Sequence, residues 1–317
     1  MSRSVGLDVL SHRIRAVHGR PGGVIGRLSG MPSGDLPVEV RRSAELFLTA
    51  VDELAPGLVT GFYLVGSVAL GDFHPSGAGR GRLSTASDID FVAVTDRRVE
   101  SGSREMAALA EAHARTVACF PRPHFDGAVL TWTDLATGPD HCPDVPCAQE
   151  SRFAPAGRSG INPVTFCELA WHGIPVRGPH PTDVDLWADR NALRAFTVDN
   201  LRTYWRPWWQ QMRQQRSLAV VVGLTAWFPV WAVLGVSRLH HVITTGTMTS
   251  KTGAGRYAQK AFDPRWQRII AESLSLRTGG AEGRRGYRNP LARRRDTLAF
   301  LDTTIETALA LPAESPE

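Results

Sequence analysis

Cysteine is scarce in this chain: there are four in 317 residues, scattered at positions 119, 142, 147 and 167. That spacing makes no disulfide framework, which excludes the small stapled secreted scaffolds and points to a reducing cytoplasm. His141, Cys142 and Cys147 lack a second ligand pair and are interrupted by Pro143 and Pro146, so a zinc site is not expected. No signal peptide is expected either, because the N-terminus has no continuous apolar stretch before a small-residue cleavage site. No strand leads into a dinucleotide-binding glycine pattern, and no Gly-Lys-Ser completes a P-loop. No RNA-binding module is legible. One apolar run, residues 218–236, reaches the length of a membrane span. Pro229 interrupts it, Gly223 and Gly235 weaken it, and residues 237–241 carry the helical pattern onward. The expectation is two short buried helices meeting near Phe228 and Pro229, with no membrane partner.

What is present suits a soluble two-domain protein: 43% apolar and 21% charged residues over 317 positions. The first 36 residues are rich in Gly, Ser, Pro and Arg and are expected to be poorly ordered. Net charge is +5 with a pI near 9.4. The excess is local: Arg284, Arg285, Arg288, Arg293, Arg294 and Arg295 crowd the approach to a final helix over 290–311. Such a run is a solvated face, a nucleic-acid contact, or a positive field for an anionic substrate.

The most informative stretch is 61–94. Phe62, Tyr63, Leu64 and Val65 read as a strand, Gly66-Ser67 as a turn, and Ile89, Phe91 and Val92 as a second, buried strand. Alternation puts Asp88 and Asp90 on one face of that strand. Two like charges there repel unless a cation lies between them, so the pair reads as half of a Mg²⁺ site. A third carboxylate is needed. Asp126, in a strand over 124–132 reached through a helix over 104–119, is preferred to Glu111 in that helix and to Asp134 past the strand's end. The loop over 68–87 is long and glycine-rich; its Arg80 and Arg82 are solvated loop charges or a lid over a triphosphate.

An apolar strand, a Gly-Ser turn and then Ser-Asp-Ile-Asp in another apolar strand resemble the nucleotidyltransferase superfamily that includes DNA polymerase β. The resemblance implies an α+β fold: an N-terminal mixed β-sheet flanked by helices, then an all-α C-terminal domain. It implies that Gly66 and Ser67 hold a nucleotide phosphate and that the aspartates hold two Mg²⁺ ions. Domain limits are expected at 37–182 and 183–317, after the segment 1–36.

The segment 234–258, with Ser-Arg-Leu-His-His, then Thr-Gly, then Ser-Lys and Tyr-Ala, resembles the C-terminal domain of the aminoglycoside nucleotidyltransferases acting on streptomycin and spectinomycin. That resemblance implies that Arg238 and Lys251 reach ATP. It implies AMP transfer from ATP to a hydroxyl of a small molecule such as an aminoglycoside or sugar, with Asp88, Asp90 and Asp126 as the catalytic and metal-binding set. The aromatic run Tyr204-Trp205-Arg206-Pro207-Trp208-Trp209 is either the acceptor wall or core. Asp185, Asp189 and Asp199 are available to a cationic acceptor. The rival readings are a non-catalytic nucleotide-binding, antitoxin-like module, and transfer to RNA or protein. Both monomer and dimer remain open.

Overall fold

The computed structural model describes residues 36–77, 83–214, 217–279 and 286–312. The expectations for Arg80, Arg82, Arg284, Arg285 and nearly all of 1–36 lie outside the described residues. The architecture is α+β, a six-stranded mixed sheet covered by helices and followed by a helical run.

α1 (Val38–Leu54) precedes β1 (Gly61–Val65), and the chain then makes a single helical turn, α2 (Gly66–Ala69). β2 (Ile89–Thr95) pairs antiparallel with β1, and α3 (Arg104–Cys119) carries the chain across to β3 (Phe125–Thr131), parallel to β2. A parallel neighbour needs such a crossover. Ser103 starts α3 by accepting the Met106 N–H. After α4 (Trp132–Thr137) comes a hairpin, β4 (Val145–Gln149) and β5 (Arg152–Gly157). α5 (Pro163–His172) and β6 (Ile174–Arg177) close the sheet in the order β5-β4-β3-β2-β1-β6. The sequence reading did not place the hairpin. Pro146 sits at an irregularity in the β4 ladder and Pro155 on the edge strand β5, positions where a missing N–H is tolerated.

Strand alternation divides the core. Phe62, Leu64, Phe91 and Phe125 face α1 and α3 around Phe47, whose ring centre is 5.5–5.6 Å from three of theirs. Tyr63, Val65, Val92, Ala128 and Leu130 pack the other face, with Phe166 and Leu169 of α5. By the same alternation Asp88, Asp90, His124 and Asp126 belong to this second face, at its edge.

The helical half begins with α6 (Arg190–Asn200), which passes through a π-helical turn at Leu201–Trp205 into α7 (Arg206–Arg213). α8 (Ser217–Gly223) and α9 (Trp227–Pro229) follow, and a second π turn at Val230–Leu234 leads into α10 (Gly235–Thr245). α11 (Lys251–Ala261), α12 (Gln267–Thr278) and α13 (Pro290–Leu309) complete it. The apolar run breaks at 224–226, not at Pro229. The proline occupies the first turn of α9, where its missing N–H would have had no helical partner anyway. Among the described residues no helix is long and apolar enough to cross a membrane.

The aromatic run belongs to the core. Trp205 stacks on Trp231 at 4.2 Å, Trp208 lies 4.3 Å from Trp231, and both Trp205 and Trp208 are buried. Trp209 donates to the Leu298 carbonyl, and Arg206 pairs with Asp302 and Glu306. Tryptophans at helical spacing here serve the fold, so the acceptor-wall reading is withdrawn.

Candidate functional site

At the end of β1 the backbone turns through Gly66 at φ +65°, a conformation that suits glycine. A Cβ at this position would stand 2.1 Å from Asp90 Oδ2, so the close approach itself demands glycine. The expected turn is the one-turn helix α2, and it leaves the Ser67 hydroxyl buried without a hydrogen-bond partner.

Register completes the acidic edge. Asp90 of β2 lies beside Asp126 of β3. Asp88, one step outside the strand, is half exposed. Asp126 is aimed by the β4–β5 turn: its Oδ1 accepts the Ser151 N–H at 2.7 Å and its Oδ2 the Glu150 N–H at 2.8 Å. Glu150 and Ser151 both adopt positive φ, the conformation of a tight two-residue hairpin turn. His124 stands two residues before Asp126 with its Nδ1 3.4 Å from Asp88 Oδ1. One donor atom from each of Asp88, His124 and Asp126 lies within 4.8 Å of the others. The other carboxylates weighed for this role are elsewhere. Asp134 closes a capping box with Thr131 and pairs with Arg98, and exposed Glu111 pairs with Arg115.

The facing wall comes from the helical half together with α5, which packs on the sheet. Ser250 caps α11 by accepting the Gly253 N–H, which puts Lys251 in the first turn. Arg238 of α10 donates from Nε to the Thr249 carbonyl at 3.1 Å. Glu168 of α5 is 5% exposed, and its buried Oε1 has no hydrogen-bond partner.

A cavity of about 320 Å³ lies between the walls, and Gly66, Ser67, Asp88, Asp90, Asp126, Arg238 and Lys251 all line it. So do Asp72, Glu168 and Arg277, which the sequence reading missed. None of the aromatic run, nor Asp185, Asp189 or Asp199, borders it. Among the described residues, His141, Cys142 and Cys147 form no metal-competent group.

Crowding sets the charge states. Burial and the neighbouring Asp88, Glu168 and Asp126 push the Asp90 carboxyl up to about 8, with Lys251 opposing. Burial also raises Asp126, against the two backbone amides that favour its charged form. Glu168 is raised by burial, with Arg238 pulling the other way. Burial and the charges of Arg277 and Arg238 bring Lys251 down to about 8. Five carboxylates (Asp72, Asp88, Asp90, Asp126 and Glu168) and three cations (Arg238, Lys251 and Arg277) thus line one cleft, an arrangement suited to a polyanion held together with divalent cations. The arginine run is largely committed within the protein: Arg293 bonds Glu272 and the Leu224 carbonyl, Arg294 the Met212 carbonyl, and Arg295 pairs with Asp296.

No protein-family model and no curated protein sequence matches the chain. Among solved structures it is similar to spectinomycin adenyltransferase AAD(9) from Enterococcus faecialis, determined with ATP and spectinomycin. The two share 11% identity at a TM-score of 0.56, covering 84% of this chain and 98% of that one. That likeness establishes a nucleotidyltransferase-like fold.

Proposed function

We propose that this cleft transfers AMP from ATP to a hydroxyl of a small, cationic, aminoglycoside-like acceptor. The observation that carries the reading is the convergence of Asp88, Asp90 and Asp126 with Ser67 on one wall and Arg238 and Lys251 on the other. The fold shared with an adenyltransferase determined with ATP and spectinomycin supports it.

The residues fit the groups assigned to them. The buried, unpartnered Ser67 hydroxyl suits a phosphate oxygen, and the three aspartates suit divalent cations, two Mg²⁺ in the simplest form. Such ions, when bound, neutralise phosphate charge and polarise the acceptor oxygen. The acceptor oxygen attacks the α-phosphorus in line, a new P–O bond forms, and the bond to pyrophosphate breaks with its electron pair leaving on that group. Asp126 takes the acceptor proton; its two backbone amides fix the carboxylate for that task. Lys251 and Arg238 offset the charge that develops on the departing pyrophosphate. The acceptor lies towards Asn162, Thr165 and Glu168, where the buried Glu168 carboxyl favours an ammonium group. A cleft of about 320 Å³ suits a small molecule better than RNA or a protein surface.

The test is incubation with ATP, Mg²⁺ and a panel of aminoglycosides and aminocyclitols, scored by pyrophosphate release and product mass. Acceptor-dependent pyrophosphate together with a mono-adenylated product is expected. Transfer of labelled adenylate only to protein or RNA, or none to any hydroxyl compound, overturns the reading.

Lys251→Met is expected to raise the KM for ATP by ~10–100-fold, because a buried charge-assisted contact is worth about 1.5–3 kcal/mol. The wild-type KM should also climb above pH 8, where Lys251 loses its proton. In Lys251→Arg that climb should vanish, since guanidinium keeps its charge. Initial rates of pyrophosphate release across pH 6.5–9.5 check both statements.

A further inference from the structure

The acidic edge carries a residue that an all-oxygen magnesium site does not need. We infer that His124 is a ligand, with Asp88 and Asp126, of one divalent ion, and that this ion is a first-row transition metal in preference to Mg²⁺. The inference rests on the reading that Asp88 and Asp126 bind a divalent cation, and it adds a nitrogen donor and a metal class to that site.

The placement follows from the sheet. His124, one residue before β3, is two residues from Asp126 and shares its face by alternation; Asp88, one residue before β2, is related to Asp90 in the same way. The parallel register Ile89–Phe125 and Asp90–Asp126 continues one step outward, setting Asp88 beside His124. The Ile89 N–H bonds the His124 carbonyl at 2.8 Å, which fixes the backbone at that step. Two carboxylates and an imidazole thus occupy neighbouring corners of one small patch.

The distances match a shared ion better than a direct bond. His124 Nδ1 is 3.4 Å from Asp88 Oδ1, longer than a well-formed N–H···O bond. Donors about 2.1 Å from one ion and at right angles to each other are separated by about 3 Å. All three donor atoms fall within 4.8 Å of one another, and Asp126 is the one held in place by two backbone amides. The same cavity also receives Glu168, 95% buried, whose Oε1 has no hydrogen-bond partner. That second feature is independent of the strands and places one more buried carboxylate, with one oxygen unpartnered, in the cavity that Asp88 and Asp126 line.

Imidazole distinguishes metals. Mg²⁺ takes oxygen donors in a strict octahedron and keeps its waters, whereas Mn²⁺, Co²⁺ and Zn²⁺ accept a neutral imidazole nitrogen readily. Mn²⁺ is the weakest binder of the transition series, so a preference seen with Mn²⁺ is the most demanding probe.

The experiment uses the full-length protein with Mn²⁺ and no nucleotide. Pulsed electron paramagnetic resonance should show a directly coordinated ¹⁴N on bound Mn²⁺, and Mg²⁺ should displace that Mn²⁺ only at ~10-fold or greater excess. In His124→Gln the nitrogen coupling should vanish and Mn²⁺ affinity fall by ~10-fold or more. In His124→Asp, an all-oxygen edge, Mn²⁺ and Mg²⁺ should compete nearly equally. Absence of nitrogen coupling in the wild type, absence of Mn²⁺ binding, or an unchanged Mn²⁺/Mg²⁺ ratio in His124→Asp overturns the inference. The wild-type spectrum decides even if a variant fails to fold. A protein that shows nitrogen-coupled Mn²⁺ yet transfers no adenylate refutes the proposed reaction and leaves this site standing.

Discussion

Asp90→Asn is expected to lower kcat/KM for adenylate transfer by ~10³-fold or more, while making the metal-free protein more stable than wild type at pH 8. The first effect corresponds to ~4 kcal/mol of transition-state charge stabilisation lost with a metal-binding carboxylate. The second follows from where Asp90 sits, in a burial that Asp88, Glu168 and Asp126 make more hostile to charge. In the unfolded chain its carboxyl titrates at the ordinary 3.8; in the fold it titrates near 8. Between those values the native state holds one proton more than the unfolded state, so stability falls as pH rises. The loss is roughly 1.4 kcal/mol per pH unit at most and is complete above about pH 8. Asparagine has no such proton to lose. Melting curves in chelator should therefore coincide near pH 4 and separate towards pH 8, the variant being the more stable. A divalent cation should raise the wild-type melting temperature more at pH 8 than at pH 5 and barely move the variant. A variant less stable than wild type at pH 8 in chelator, or active within tenfold, would show that Asp90 is an ordinary strand residue.

Much of this wall was legible from sequence for one reason: strands impose a period of two. Asp88 and Asp90 announce a shared face, and Gly66 announces the tight approach that Asp90 requires. The same rule could have found His124, because His-Phe-Asp at 124–126 repeats the spacing of Asp-Ile-Asp at 88–90. Glu168 also left a trace, as a lone carboxylate in the apolar stretch Phe166-Cys167-Glu168-Leu169, three of whose neighbours are buried with it. Lys251 is one of two lysines in a chain otherwise supplied with arginine, the other being Lys260. A compact, titratable ammonium was chosen there over a guanidinium. The tryptophans misled because their spacing is equally that of a helix core, and only packing separates the two uses. Beyond reach altogether was the junction between the halves. Arg277 bonds the Asp72 carbonyl across 205 residues, and a single charge at such a distance carries no periodic signal.

That junction bears the largest stability effect. Arg277→Met is expected to destabilise the protein by about 3–5 kcal/mol, the cost of leaving one partner of a buried charged network alone. Arg277 ends α12 with its side chain 1% exposed. It donates to the Thr85 carbonyl at 2.9 Å, the Asp72 carbonyl at 2.8 Å and Ser87 Oγ at 2.9 Å. The Asp72 carboxylate, 3.6 Å away, also accepts the Thr252 amide and hydroxyl and faces His74. Burial works against that charge, but the Thr252 bonds and the Arg277 guanidinium hold the Asp72 carboxyl below its ordinary range. One side chain of the helical half thus fixes the segment from Thr85 to Ser87 that delivers Asp88 to the cleft. At roughly 2–4 °C per kcal/mol for large domains, the melting temperature should fall by on the order of 10 °C. Asp72→Asn/Arg277→Met should recover part of that loss, because the stranded carboxylate is removed with its partner, and a double-mutant cycle should give a coupling above about 1 kcal/mol. Acid sensitivity supplies an independent check. A carboxyl lowered in the fold stabilises above its unfolded pKa and stops doing so as pH falls through its folded value. Wild type should therefore lose stability below about pH 4, and Arg277→Met should lose less over the same interval because its Asp72 is already closer to the ordinary value. A cost under 1 kcal/mol with an unchanged acid limb would mean that the apolar contacts among Cys167, Leu193 and Val242, not this polar clamp, hold the two halves in register.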